Sequence, residues 1–154
     1  LALGNPLRED DGIGARLLQS LHELIPGDAG VDLLDGGTAG LDCALLWDGY
    51  HSLILIDAAD MGLQPGEWRR IPLDEMVLDE DGLKSIGAVH AAGLEEALVL
   101  GRALGNLPAS VVVFGIQPDA VGYGRGLSEH VESAVPVISE AVLQAAGLKN
   151  SSIV

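Results

Sequence analysis

The chain has 154 residues, 48% of them hydrophobic and 20% charged, which is typical of one globular domain spanning 1–154 with its own core. Eight basic against 23 acidic residues give a net charge of −15, which argues against binding to nucleic acid or to an anionic membrane, since both need a basic surface. Aromatic residues make up only 3%, so the core must consist mainly of aliphatic side chains.

Strand and helix patterns alternate along the first sixty residues. Leu1–Leu3 is typical of the end of a buried strand, and residues 11–25 have the apolar spacing of an amphipathic helix. Val31–Leu34 is predicted as a second strand and Leu41–Trp47 as a short helix. The four consecutive aliphatic residues of Leu53–Ile56 predict a strand that is buried on both faces, as in a parallel sheet.

The second half of the chain continues this alternation. Glu67–Pro72 alternates like a partly exposed strand, and the polar stretch 77–87 is predicted as a loop. Residues 92–104 have helical spacing, and Ser110–Gly115 is predicted as another buried strand.

A last helix is predicted from apolar residues that share one face between Val131 and Ala145, with Pro136 expected to kink it or to mark its start. Strands that alternate with helices predict an α/β fold: a three-layer α/β/α sandwich with a twisted, mostly parallel five-stranded sheet. In such a sheet, the functional loops lie at the carboxyl ends of the strands.

Cysteine content and hydropathy indicate the compartment. The single cysteine, Cys43, cannot form an internal disulfide, which fits a reducing compartment. No apolar run approaches the ~20 residues of a membrane-spanning helix, and no signal peptide is visible. We therefore expect a cytoplasmic monomer without membrane insertion, and, since the sequence does not start with methionine, we expect a few residues of the first strand to be missing.

The loop after the first strand, GNPLREDDGIG, has the glycines of a phosphate-binding turn but carries Glu9, Asp10 and Asp11, which would repel a phosphate. Asp57 ends the strand Leu53–Ile56, so carboxylates are expected to converge at one edge of the sheet. Converging carboxylates need protons or a cation to neutralise them. With His90, which precedes a predicted helix, they make a plausible three-ligand metal site with open positions.

Simpler explanations stay open for each of these residues. Asp10 or Asp11 can merely cap the first helix, Asp57 can merely end a strand, and His90 can be structural. Cys43 lies in a predicted helix and is interpreted as an inert buried thiol. A magnesium-binding receiver domain would need a lysine after the fifth strand, where this chain has Gln117.

Motifs along almost the whole chain resemble, in order and spacing, those of the nickel–iron hydrogenase maturation endopeptidases. The stretch DAADMGLQPGE resembles most closely the formate-hydrogenlyase branch of that family. The matching motifs are GNPLREDDGIG at 4–14, DGGTAGL at 35–41, IDAADMG at 56–62 with PGE at 65–67, His90 with Gly93-Leu94, and GIQPD at 115–119.

The resemblance implies a twisted α/β/α fold and an aspartic-type endopeptidase. Such an enzyme removes a short C-terminal peptide from the precursor of the hydrogenase large subunit once nickel has been inserted. This precursor is the implied protein partner. The nickel is carried by that substrate, and no organic cofactor is implied.

The resemblance also implies roles for particular residues. The family's metal-binding positions correspond to Asp11, Asp57 and His90 of this sequence. Asp35 corresponds to a position tied to cleavage and substrate choice, so Asp11 or Asp35 is the candidate general base. The DGGT turn is then the substrate-binding segment, comprising Asp35, Gly36, Gly37 and Thr38.

Other functions remain open from the sequence. The same ligands would serve a non-catalytic nickel-binding maturation chaperone, or a protease that holds a zinc ion of its own. A magnesium-dependent receiver or phosphotransferase is a further alternative. Whether nickel takes part in hydrolysis or only in recognition is left open as well.

Overall fold

A computed structural model of the chain describes residues 1–75 and 94–148. Within these ranges the strands, numbered β1 to β5, are Ala2–Leu3, Asp35–Gly37, Ser52–Ala58, Trp68–Pro72 and Ser110–Ile116. The α-helices, numbered α1 to α4, are Ile13–Leu24, Cys43–Leu46, Leu94–Leu104 and Glu129–Ala145. Short 3-10 turns lie at Glu9–Gly12 and Leu73–Glu75.

The strands form one sheet in the order β2-β1-β3-β5-β4. The first four strands in that order run parallel, and β4 pairs antiparallel with β5 at the edge. The predicted α/β fold with a mostly parallel five-stranded sheet is therefore confirmed. The chain passes from β1 to β2 on one side of it and then crosses from β2 to β3 on its other side, so a crevice is expected where the carboxyl end of β1 meets those of β2 and β3.

Side chains alternate between two cores, one on each face of the sheet. Ile56 and Phe114 pack with α1 and α4 on one face, whereas Leu55 and Val113 pack with α2 and α3 on the other. This is the α/β/α layering that the sequence predicts, because each strand in the middle of the sheet is apolar on both faces. Asp57 follows Leu55 by two residues and so continues the face of α2 and α3.

The second strand lies elsewhere than the sequence pattern predicts. The prediction placed it at Val31–Leu34, but β2 is Asp35–Gly37. Its position is set by parallel pairing with β1, in which Ala2 N donates to Leu34 O at 2.9 Å and Gly4 N donates to Gly37 O at 2.8 Å. Tertiary pairing thus overrides the poor intrinsic strand preference of an Asp-Gly-Gly segment.

The helices lie where the sequence predicts them, but some of their ends differ from the predicted bounds. The first begins at Ile13 rather than at residue 11, because a 3-10 turn occupies Glu9–Gly12. The last begins at Glu129, so Pro136 lies inside it and does not mark its start. The predicted loop at 77–87 lies outside the described residues. None of the helices in the described part combines the length and the apolar character needed to cross a bilayer.

Candidate active site

The carboxyl ends of β1, β2 and β3 lie side by side at one edge of the sheet. The hydrogen bond from Gly4 N to Gly37 O joins the loop after β1 to the DGGT turn. On the other side of β1, Ala2 pairs with Ile56, which brings Asp57 next to the end of β1. The loop after β1 and the end of β3 therefore lie together as the sequence predicts, and the DGGT turn lies beside them.

Asp57 is a buried carboxyl group with an unused oxygen. Its side chain is only 2% exposed, and its Oδ2 atom has no hydrogen-bond partner among the described residues. Burial, and secondly the nearby charge of Asp11, raise the pKa of Asp57 to about 7, an effect that a hydrogen bond from Ala58 N–H only partly offsets. A divalent cation or a proton would relieve this unfavourable charge.

Asp11 is held at the edge of the same site by the backbone. Its Oδ2 accepts a hydrogen bond from Asn5 N at 3.0 Å, and its side chain is half-buried. Gly4 makes this arrangement possible, because it has φ +117° and a Cβ atom there would overlap the carbonyl oxygen of Asp11. No side-chain cap bond is made to the 3-10 turn or to α1, so neither Asp11 nor Asp10 acts as the helix cap that the sequence left open.

Asp10 has a structural role that its neighbour lacks. Its side chain is fully buried and accepts hydrogen bonds from Asp119 N, Ala120 N, Ser128 N and Ser128 Oγ at 2.6–3.1 Å. Burial alone would raise the pKa of Asp10, but these hydrogen bonds outweigh it and hold the pKa below its ordinary value. Asp10 is therefore an ionised, fully bonded anchor for the segment after β5.

The DGGT turn flanks the site on the side of β2. Asp35 is exposed, and its Oδ1 accepts a hydrogen bond from Gly37 N at 2.8 Å, which fixes the turn. Gly36 is buried against β1, and Thr38 is exposed. The other carboxyl oxygen of Asp35 makes no hydrogen bond to the described part of the chain.

His90, the third predicted metal ligand, lies outside the described residues. Within residues 1–75 and 94–148, no group of three or more His, Cys, Asp or Glu side chains is arranged to hold a metal ion. The described residues supply two carboxylates of the predicted set, Asp11 and Asp57. The chemistry of this pair fits a cation, because the Oδ2 of Asp57 is buried without a partner.

Gln117 contributes to the site in a way that sequence reasoning missed. Its Oε1 accepts hydrogen bonds from Met61 N at 2.7 Å and Leu63 N at 3.1 Å, and its Nε2 donates to Asp60 Oδ1 at 3.2 Å. The amide thereby fixes the loop that follows Asp57. A polar residue directly after an apolar strand was the available signal.

Two other features of the described residues play no part in this site. Cys43 is fully buried, and its Sγ donates to Ala39 O at 2.8 Å. The prediction that Cys43 is buried is confirmed. Burial, and then the charges of Asp57 and Asp42, raise the pKa of this thiol, which disfavours the reactive thiolate. A mostly apolar cavity of about 440 Å³, with Leu1 and Ser110 in its wall, opens at the amino ends of the strands, opposite the carboxylates.

Comparison with known proteins gives consistent matches. A model of the hydrogenase maturation protease family matches residues 15–145. The hydrogenase expression/formation protein HupD of Rhizobium leguminosarum bv. viciae is 32% identical over 145 residues, which are 94% of this chain and 71% of HupD. HoxM of Cupriavidus necator, also a hydrogenase expression/formation protein, is 35% identical over 136 residues, which are 88% of this chain and 66% of HoxM.

The chain therefore spans about two thirds of the length of these two relatives. Among solved structures, the hydrogenase maturating endopeptidase HybD from Escherichia coli is similar to this chain with a TM-score of 0.72 and 28% sequence identity. The match covers 94% of this chain and 89% of HybD.

Proposed function

We propose that this chain, which belongs to the hydrogenase maturation protease family, removes the C-terminal extension from the precursor of a nickel–iron hydrogenase large subunit after nickel insertion. Family membership makes the chain a peptidase. One observation supports dependence on a metal: the buried, unpartnered Oδ2 of Asp57 beside the charge of Asp11. The buried thiol of Cys43 fits the cytoplasmic location that we propose with this function.

Asp11, Asp57 and His90 are the proposed contacts to the nickel that the precursor already holds. Carboxylate and imidazole groups are suitable donors for this ion. Because the pKa of Asp57 is about 7, this carboxyl group is partly protonated near neutral pH, and an arriving cation would displace its proton. The contact would thus report that nickel insertion is complete.

Hydrolysis needs a base beside the scissile peptide. In the proposed reaction, Asp11 or Asp35 takes a proton from a water molecule, whose oxygen bonds to the carbonyl carbon of the scissile peptide. The C–N bond then breaks, and the protonated aspartate gives its proton to the leaving amine, so that the products are a carboxyl group and a free amino group. Asp35 supports this role because it is exposed at the carboxyl edge and keeps one carboxyl oxygen free of hydrogen bonds to the described residues. The DGGT turn would lie along the substrate.

The test is cleavage of nickel-loaded and nickel-free precursor, read by mass spectrometry. We expect the wild-type protein to shorten only the nickel-loaded form, and His90→Ala to slow cleavage at least roughly tenfold. The matched control is His22→Ala, which changes an exposed histidine on α1. Undiminished cleavage by His90→Ala would remove this residue from the mechanism.

The same experiment separates the alternative functions. Binding of the nickel-loaded precursor without shortening would identify a chaperone. Equal cleavage of both precursor forms, together with stoichiometric zinc in protein purified without chelators or added metals, would identify a protease with its own metal.

A further inference from the structure

Three apolar side chains are exposed on two loops beside the candidate active site. Tyr123 is 97% exposed, Leu7 53% and Val121 42%. Leu7 belongs to the loop after β1, which also carries Asp11, and the other two belong to the loop after β5. Exposed apolar side chains grouped on neighbouring loops are typical of a surface that a partner covers, and tyrosine is enriched among the residues that contribute most to binding.

Backbone pairing holds the two loops together. Gly124 N donates to Leu7 O at 3.1 Å, and Glu9 N donates to Gly124 O at 3.1 Å. Arg8 and Gly124 form an isolated parallel bridge between these bonds. The exposed side chains of the two loops therefore belong to one surface.

Two carboxylates in the loop after β1 bind the backbone of the loop after β5. Gly122 N donates to Glu9 Oε2 at 2.8 Å, and the carboxylate of Asp10 binds Asp119, Ala120 and Ser128. Glu9 is the one non-glycine residue with positive φ in the described chain, at 51°, a conformation that these contacts maintain. A surface that is already ordered loses little conformational entropy when a partner binds.

Two of the few basic residues of the chain, Arg8 and Arg125, lie on this surface. Arg8 and Arg125 are exposed and form no ion pair within the described residues, where the one such pair joins Arg16 to Glu132. In a chain with eight basic residues and a net charge of −15, two exposed arginines beside apolar groups give this surface cations that can bind carboxylates. Guanidinium groups next to an exposed tyrosine fit a segment that carries both carboxylates and apolar side chains.

We propose that Leu7, Arg8, Val121, Tyr123 and Arg125 form a docking platform for an acidic, apolar segment of the protein substrate. The inference rests on the proposed function, because it takes the hydrogenase precursor as the partner. The platform lies close to the candidate active site along the sequence. Arg8 precedes Asp11 by three residues, and Asp11 Oδ2 accepts a hydrogen bond from Asn5 N in the same loop. Docking here holds the precursor beside Asp11 and Asp57 without touching the reacting groups.

The test compares two double variants with nickel-loaded precursor as the probe. Tyr123→Ala with Arg125→Glu alters the platform, whereas Leu104→Ala with Arg102→Glu makes the same kinds of change at exposed positions of α3. We expect the platform variant to raise KM roughly tenfold with kcat within about twofold, and to weaken the salt dependence of KM. The α3 variant should match the wild type, and equal urea midpoints for all three proteins show that both variants fold.

Two failures are distinguishable in this experiment. If the wild type cleaves the precursor and the platform variant has the same KM and salt dependence, the platform is wrong and the proposed function stands. If the wild type cleaves no precursor, the proposed function is wrong. Calorimetric titration of the precursor then decides the platform separately: weaker binding by the platform variant supports it, and equal or absent binding overturns it.

Discussion

Asp10 and Asp11 are neighbours in the chain, yet their carboxylates lie in different environments and have different roles. Asp10 is fully buried and accepts four hydrogen bonds from the segment 119–128. Asp11 accepts one bond, from Asn5 N, and its charge helps to raise the pKa of Asp57. The first residue stabilises the fold, and the second adds negative charge to the candidate site.

Replacing Asp10 should destabilise the protein strongly. In Asp10→Asn, an amide replaces a charged acceptor, so some of the donors from Asp119, Ala120 and Ser128 lose their partner. Hydrogen bonds to a charged group contribute about 1.5–3 kcal/mol each, and we expect a loss of roughly 3 kcal/mol in the free energy of unfolding. Urea denaturation of wild type and Asp10→Asn at pH 7 measures this loss.

The pH dependence of this loss provides a second check. The pKa of Asp10 is lowered in the folded state, so its stabilisation is present above the ordinary value of 3.8 and is lost as the pH falls further. The difference between wild type and Asp10→Asn should therefore shrink at acid pH. Asp28→Asn, an exposed control, should change stability by less than about 0.5 kcal/mol at either pH. An Asp10→Asn protein as stable as this control would contradict the anchoring role.

Replacing Asp57 should have the opposite effect on stability. The pKa of this carboxyl group is raised from 3.8 to about 7, so the folded state disfavours its charged form. Its stabilising contribution is fully present below pH 3.8 and is lost as the pH rises to about 7. At about 1.4 kcal/mol for each tenfold change in proton affinity, the loss reaches at most roughly 4 kcal/mol.

Asp57→Asn should therefore be more stable than the wild type at pH 8.5, with the advantage disappearing near pH 4. The measurement is the urea midpoint at both values, with Asp48→Asn as an exposed control. We expect the same variant to lose cleavage of the precursor, since a destabilising charge retained in the core is typical of a functional group. A variant less stable than wild type at pH 8.5 would show that the buried charge is compensated.

Gly4→Ala tests the geometry that holds Asp11. Alanine at φ +117° is strained, and its Cβ would overlap the carbonyl oxygen of Asp11, which is backbone and cannot rotate away. We expect a loss of roughly 3 kcal/mol in stability and a matching loss of cleavage. Gly27→Ala is the control, because a Cβ atom there would have no neighbour within 4 Å and the φ of Gly27 is not positive. Equal stability of the two variants would contradict this account of Gly4.

Asp35→Ala should separate activity from stability. Asp35 is exposed and makes one hydrogen bond, to Gly37 N, so its loss should cost less than about 1 kcal/mol. If Asp35 is the general base, kcat should fall at least roughly hundredfold at unchanged urea midpoint. An unchanged kcat would leave Asp11 as the remaining candidate base.

The sequence predicts the placement of Asp57 well, for a physical reason. Four aliphatic residues in a row identify a strand buried in a parallel sheet, and the residue that ends such a strand lies at the edge where sites form. The same logic locates Asp11 in the loop after β1. The sequence pattern does not, however, distinguish Asp10 from Asp11. The hydrogen-bond partners of Asp10 lie more than a hundred residues away along the chain, whereas Asn5, the partner of Asp11, lies only six residues away.

The position of β2 shows the other limit of local patterns. Val31–Leu34 has the apolar residues of a strand, and its Leu33 and Leu34 pack against the two cores, but the ladder with β1 forms at Asp35–Gly37. Which of two adjacent segments pairs is decided by the register with β1, and that register is not encoded in either segment alone. Gln117 was missed for a similar reason, since its partners Met61 and Leu63 come from a different part of the chain.

The close contact between Glu9 and two glycines constrains how this protein can be engineered. A Cβ atom on Gly122 would lie 2.8 Å from Glu9 Oε2, and one on Gly124 would lie 3.0 Å from Glu9 Cγ. A side chain at either glycine therefore requires the Glu9 side chain to shift, while a smaller residue at position 9 opens the space. A mutant library that alters this surface should vary positions 9, 122 and 124 together, because the effects of substitutions at residues in contact are not additive.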